Sequence, residues 1–160
     1  MTDKPYRKNV AVIVLNSKGE ILCCERCDIP NAWQLPQGGI EKGESELEAM
    51  HRELMEEVGF NDVELVDQLP EKILYDWPLK IRKNKSDDYI NSYRGQEQTF
   101  FLVRAKEEIL KNFVFSPTEE FCNFRWVNRE EFFNLIVGFK VEPYKKAIQL
   151  FEKRNERIFA

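Results

Sequence analysis

Arg52, Glu53, Glu56 and Glu57 are the residues of this chain whose types and spacing best suit chemistry. On a helix, at about 100° per residue, the three glutamates are i, i+3, i+4 neighbours on one face. Leu47, Leu54 and Val58 cluster roughly a third of a turn away, with Met50 toward the acids. The expected helix therefore packs its apolar stripe on a sheet and presents carboxylates along one edge. Like charges so close destabilise an isolated helix. Solvent offsets them weakly, whereas a hard divalent cation such as Mg²⁺ or Mn²⁺, which prefers carboxylate oxygen, offsets them strongly. Arg52 adds a positive neighbour able to orient an acid. Taken alone, such a run reads as a solvated acidic face. A cation held in this way would neutralise charge on an anionic ligand and acidify a water, with a nearby carboxylate to take the proton.

The elements around these residues follow from pattern. Val10 to Leu15 is a continuous apolar run, as in a strand buried on both faces. Asn16-Ser17-Lys18-Gly19 is turn chemistry, and Ile21 to Cys24 reads as a second strand, hairpin-paired with the first. Residues 31–39 read as a loop. Glu44 to Val58 reads as the acidic helix, with Gly59 where a helix ends. Strands are expected at Val63–Leu69, Thr99–Arg104 and Phe124–Val127. Ile73 to Tyr93 reads as a long loop with some strand character. Helices follow from Asn128 or Arg129 to Ile136 and from near Pro143, a residue suited to a first turn. In the last helix Tyr144, Ala147, Ile148 and Phe151 form an i, i+3, i+4, i+7 stripe and read as core. Strands, helix, strands, helix predicts an α/β fold with a mixed sheet flanked by helices.

At 160 residues the chain reads as one domain, large enough for its own core. Composition is that of a soluble globular protein, without a membrane-length apolar run or an apolar leader at the start, so a cytoplasmic location and no membrane partner are expected. The net charge of -4 gives no general attraction for polyanions, so phosphate binding must use local cations and metal. Lys80, Arg82, Lys83 and Lys85 lie close together and read as a solvated loop. Cys23, Cys24 and Cys27 cluster, but a single histidine and no second cysteine pair disfavour zinc. All four cysteines, Cys122 included, read as reduced.

The segment Gly38-Gly39-Ile40-Glu41-Lys42-Gly43-Glu44 through Arg52-Glu53-Leu54-Met55-Glu56-Glu57-Val58-Gly59-Phe60 resembles the Nudix box at every fixed position. The resemblance implies a Nudix fold over 1–160, with the box at 38–60. This is an α/β/α sandwich with a mixed β-sheet that hydrolyses a nucleoside diphosphate linked to another group. It implies that Glu53, Glu56 and Glu57 are metal ligands for Mg²⁺ or Mn²⁺, with one of them as general base. The Gly38 and Gly39 backbone then approaches metal or phosphates, as glycine permits. It also implies catalytic roles for Glu53, Glu57 and Arg52, with Glu44 and Arg52 supporting the local geometry.

Outside the box the chain is similar to the bacterial RNA pyrophosphohydrolases and their relatives, the diadenosine polyphosphate hydrolases. The matching segments are Tyr6-Arg7-Lys8-Asn9-Val10, Trp33-Gln34-Leu35-Pro36-Gln37-Gly38-Gly39, Gly95-Gln96-Glu97-Gln98, Glu119-Glu120-Phe121, Phe124-Arg125-Trp126-Val127 and Phe139-Lys140. The resemblance implies Glu120 as a fourth metal-site carboxylate. It implies Arg7 and Arg26 as phosphate donors, Phe139 stacking on a base with Lys140 assisting, and Gln34, Gln37 and Tyr75 in the substrate pocket. Trp33 reads as structural. The implied substrate is the 5′ end of RNA, in mRNA decay, with no DNA-specific binding; a dinucleoside polyphosphate is the alternative. The chain departs from the subgroup at Lys8, Glu97 and Thr99, where proline and basic residues are usual, and in a longer polar stretch from Lys83 to Tyr93. Oligomeric state is left open.

Overall fold

The structure, a computed structural model, describes residues 4–78, 92–136 and 138–160. Its centre is a parallel pair, β1 (Tyr6–Leu15) and β7 (Gly95–Ala105), in register from Tyr6 opposite Gly95 to Leu15 opposite Arg104. Both strands are apolar on both faces because helices cover both sides. Val10, Val12 and Val14 pack with Phe101 and Val103 on one face, and Ala11, Ile13 and Leu15 with Phe100 and Leu102 on the other. All other pairings are antiparallel, so the sheet is mixed. β5 (Val63–Gln68) and β6 (Ile73–Asp76) pair with β7. β2 (Ile21–Arg26) pairs with β8 (Phe121–Val127) and with the short β3 (Trp33–Gln34).

The β1–β2 hairpin pairs only at its base, Leu15 with Ile21. The reason is β4 (Gln37–Gly39), which takes the edge of β1 from Asn9 to Ala11. Residues 31–39, expected as a loop, thus hold two short strands, and β4 carries the glycines of the box into the sheet.

Helix α1 (Glu46–Val58) lies on the Val10 face. Its start is fixed by a capping box, in which the Ser45 hydroxyl accepts from Glu48 N–H and the Glu48 side chain accepts from Ser45 N–H. Gly59 ends it at φ 92°, a left-handed conformation that glycine adopts freely. Its buried stripe differs from expectation. Leu47 is exposed, and Ala49 and Met50 join Leu54 and Val58 in the core.

The opposite face is covered by α3 (Arg129–Leu135) and α4 (Val141–Arg154), the latter through Tyr144, Ala147, Ile148 and Phe151 as the sequence pattern predicts. A short helix absent from the sequence reading, α2 (Glu107–Asn112), follows β7. β7 and β8 begin earlier than their patterns suggest, and Ile73–Asp76, at the start of the expected loop, is a strand. The basic group Lys80, Arg82, Lys83 and Lys85, and most of the long polar stretch after it, lie outside the described residues.

One expectation about the cysteines is overturned. Cys27 and Cys122 form a disulfide, with a Cα–Cα distance of 5.0 Å. They are brought together because Arg26 pairs with Phe121 at the ends of β2 and β8. Cys23 and Cys24 are free thiols buried in the two cores.

Candidate active site

Glu53 and Glu57 are buried polar residues, 7% and 6% exposed, at the edge of α1 that meets β4. Successive turns of the helix stack them, and the backbone of β4 closes over them. Gly38 leaves the Glu53 carboxyl its place there: a Cβ on it would stand 2.1 Å from Glu53 Cδ. Gln37 N–H donates to Glu57 Oε2 at 2.9 Å. Glu56 is turned outward, its side chain 58% exposed, and is tied to the site by Arg52 at 3.2 Å.

Arg52 organises the acids. It donates to Glu44 at 2.7 and 2.9 Å, to Glu53 at 2.8 Å, to Glu56 at 3.2 Å and to the Gly39 carbonyl at 2.9 Å. The planar fork of a guanidinium makes these contacts together where a lysine ammonium cannot. These bonds hold the Glu44 carboxyl down at about 2. Burial pushes Glu53 up against the pull of Arg52. Glu57 is pushed up further, first by burial and then by the charges of Glu53 and Glu120, with the Gln37 N–H offsetting part of it. Of the two acids, Glu57 is the one whose protonated form burial and neighbouring charge favour more.

Among the described residues no group of three or more His, Cys, Asp or Glu side chains stands arranged to hold a metal. The donor set nevertheless fits one. Arg52 engages Glu53 and Glu56, the Gly38 backbone leaves space that a side chain would fill, and Glu120 raises the Glu57 pKa from across the cleft. The donor atoms these glutamates and the Gly38 backbone could offer are all oxygen, the preference of hard divalent cations. Thr118 ties the Glu120 segment to the helix, donating from its hydroxyl to the Glu57 carbonyl at 2.9 Å. Cys27 N–H donates to the Glu120 carbonyl at 3.0 Å.

A single cleft runs from Gly38, Gln37 and Glu120 to Tyr75, Phe139 and Lys140, with Arg7 and Arg26 along it. Tyr75 and Phe139 face one another with ring centroids 5.9 Å apart. Phe139 is therefore in the cleft and not in the core. Lys140 donates to Gln34 Oε1, and Gln34 is buried beneath it. Arg7 reaches Gln96 at 3.4 Å and lies against Gly39, where a Cβ would stand 2.3 Å from its guanidinium. Arg26 is engaged by Asp28 at 2.7 Å, so a phosphate must compete with that carboxylate.

Trp33 also lines the cleft, under Arg125 at 5.8 Å. Three residues that the sequence reading gave no role belong here. Gln96 donates to Tyr75 Oη at 2.8 Å, Asn9 lines the floor, and Thr118 holds the Glu120 segment. Gln96 and Asn9 lay inside matching segments, which was the available signal; Thr118 gave none.

The NUDIX domain family matches residues 5–151. The chain belongs to the Nudix family. It is 41% identical over 159 residues to an RNA pyrophosphohydrolase of a Nitratiruptor species, covering 97% of this chain and 99% of that one. An RNA pyrophosphohydrolase of Helicobacter pylori is 39% identical over 160 residues, covering 97% and 99%. In fold the chain is similar to the E. coli dihydroneopterin triphosphate pyrophosphohydrolase, with a TM-score of 0.66, 18% identity, and 89% and 97% of the two chains covered. This Nudix chain is thus a hydrolase of phosphoanhydride bonds, in a family that uses divalent metal, with the α/β mixed sheet the sequence predicts.

Proposed function

We propose that this Nudix hydrolase acts on the 5′-triphosphate end of RNA, leaving a 5′-monophosphate, with Mg²⁺ as its cofactor and Mn²⁺ as a substitute. The observation that carries the reading is the identity of about 40% along nearly the whole chain to relatives named RNA pyrophosphohydrolase. The cleft supports it, because one continuous groove joins Glu120 and the Gln37–Gly38 backbone, behind which Glu53 and Glu57 lie, to an aromatic pair and to cations. The cytoplasm, where transcripts carry 5′-triphosphates, is the compartment this activity requires. Among the described residues no helix is long and apolar enough to cross a membrane.

Glu53, Glu56, Glu57 and Glu120, with the Gly38 backbone, would hold the metal. When bound, it neutralises charge on the phosphate oxygens and acidifies the attacking water. Glu57 is the general base: with its own proton displaced, its buried carboxylate takes one from that water. Arg52 keeps Glu53 and Glu56 oriented and keeps Glu44 out of the cleft. Arg7, Arg26 and Lys140 donate to phosphate oxygens, while Phe139 and Tyr75 take a base between or against their rings. The Gln34 and Gln37 amides are positioned by Lys140 and Tyr144.

Product analysis on triphosphorylated RNA beside diadenosine tetraphosphate, with Mg²⁺, tests the proposal. The expected result is 5′-monophosphate RNA with pyrophosphate, or two phosphates in turn, at a higher kcat/KM than for the dinucleotide. Cleavage of the dinucleotide alone overturns it.

A further inference from the structure

Tyr144 lies on the first turns of α4, more than a hundred residues from Gln37 at the start of the site, and follows the core stripe of that helix. The stripe needs only an apolar ring at this position. Phe100, Phe132 and Phe151 fill the same cluster without a hydroxyl. A hydroxyl buried among apolar side chains is unfavourable unless it is hydrogen-bonded, and Tyr144 is 1% exposed. Both partners of this hydroxyl lie in the segment that carries the site. It donates to Gln37 Oε1 and accepts from Leu35 N–H at 3.4 Å.

The ring itself is fixed by edge contact with Phe100 at 6.2 Å and tilted contact with Phe132 at 6.0 Å, so the hydroxyl sits at a defined point. The segment it grips has little freedom elsewhere. The Pro36 carbonyl accepts from Val12 N–H at 2.9 Å, and Gln37 pairs with Ala11. From the same residue, Gln37 N–H donates to Glu57 Oε2 at 2.9 Å. One chain of contacts therefore runs from the last helix, through residues 35–37, to the buried carboxylate.

We propose that Tyr144 is a positioning residue: its hydroxyl orients the Gln37 amide, and with it the backbone N–H that fixes Glu57. The inference rests on Glu57 belonging to the catalytic centre proposed above. Tyr144→Phe keeps the ring and removes the hydroxyl, so packing is preserved while Gln37 Oε1 and Leu35 N–H lose their partner. Loss of one neutral hydrogen bond to the segment predicts a fall in kcat of about fivefold, with KM within about twofold. Gln37→Leu, which removes the amide at similar bulk, is expected to produce a loss of like size.

The decisive measurement is the double variant. If the hydroxyl acts through Gln37, Tyr144→Phe changes kcat by less than about twofold in the Gln37→Leu background, although it still lowers the melting temperature there. Independent losses that multiply to about 25-fold, an unchanged kcat, or a change confined to KM each overturn the proposal. Should Tyr144→Phe not fold, Gln37→Leu with full kcat overturns it and Gln37→Leu with the fivefold loss supports it. Glu57→Gln in the same assay separates the two readings. A Glu57→Gln enzyme of full activity defeats the site assignment, whereas an inactive one beside an unaffected Tyr144→Phe defeats only this inference.

Discussion

Replacing Gly38 by alanine separates the role of the β4 backbone in holding Glu53 from any role in folding. Gly38 needs no unusual backbone conformation; the obstacle is the Glu53 carboxyl, whose Cδ, Oε1 and Oε2 would lie 2.1, 2.2 and 2.4 Å from the new Cβ. Ordinary contact begins near 3.4 Å, so the carboxyl must retreat by about 1 Å or more. It is a flexible chain end and can do so at modest cost to stability, of about 1 kcal/mol. Retreat takes it away from the position Arg52 gives it at 2.8 Å and away from Glu57. A misplacement of about 1 Å at a catalytic group costs on the order of 10²-fold in rate, equivalent to about 2.7 kcal/mol of activation free energy. The assay is kcat on triphosphorylated RNA beside the melting temperature by circular dichroism. In a Glu53→Ala background, where the clash is gone, Gly38→Ala is expected to cost nothing further. A Gly38→Ala enzyme that retains kcat within about threefold of wild type, with the fold intact, refutes the reasoning that Glu53 needs that space.

On the metal-binding role proposed for Glu57, binding would have to displace the proton that burial and neighbouring charge favour there. A buried acid whose folded pKa is raised binds its proton more tightly folded than unfolded, so the bare protein loses stability as pH rises above the ordinary glutamate range. Mg²⁺ reverses this, and its stabilising shift in melting temperature is expected to be larger near about pH 8 than near about pH 6, with proton release seen by calorimetry in buffers of differing ionisation enthalpy. Equal shifts at both pH values without proton release would count against the assignment. The Cys27–Cys122 disulfide joins residues separated by 95 positions. Reducing it, or Cys122→Ser, is expected to cost about 2–4 kcal/mol, a fall in melting temperature on the order of 5–10 °C. A melting curve indifferent to reductant would show that the crosslink constrains nothing.

What the sequence determined by itself is the local part of the site. The i, i+3, i+4 spacing of Glu53, Glu56 and Glu57 sets their relation on a helix. Gly59 marks where that helix ends, whereas its start, expected at Glu44, lies at Glu46 behind the Ser45–Glu48 capping box; caps and periodicity act over one or two turns. The mixed sheet, the final core stripe and the family were legible for the same reason, carried by short segments in a fixed order. The tertiary structure decided which acids are buried. It turned Glu56 outward and Leu47 into solvent, because the line between core and solvent on α1 depends on where β4 lies. Within residues 31–39, β4 formed because β1 offered a free edge, and β3 because β2 offered one. The grip of Tyr144 on Gln37, the seat of Arg7 against Gly39 and the meeting of Cys27 with Cys122 join residues distant in the chain. Such contacts depend on register and packing across the whole sheet, which no local pattern of residue types encodes.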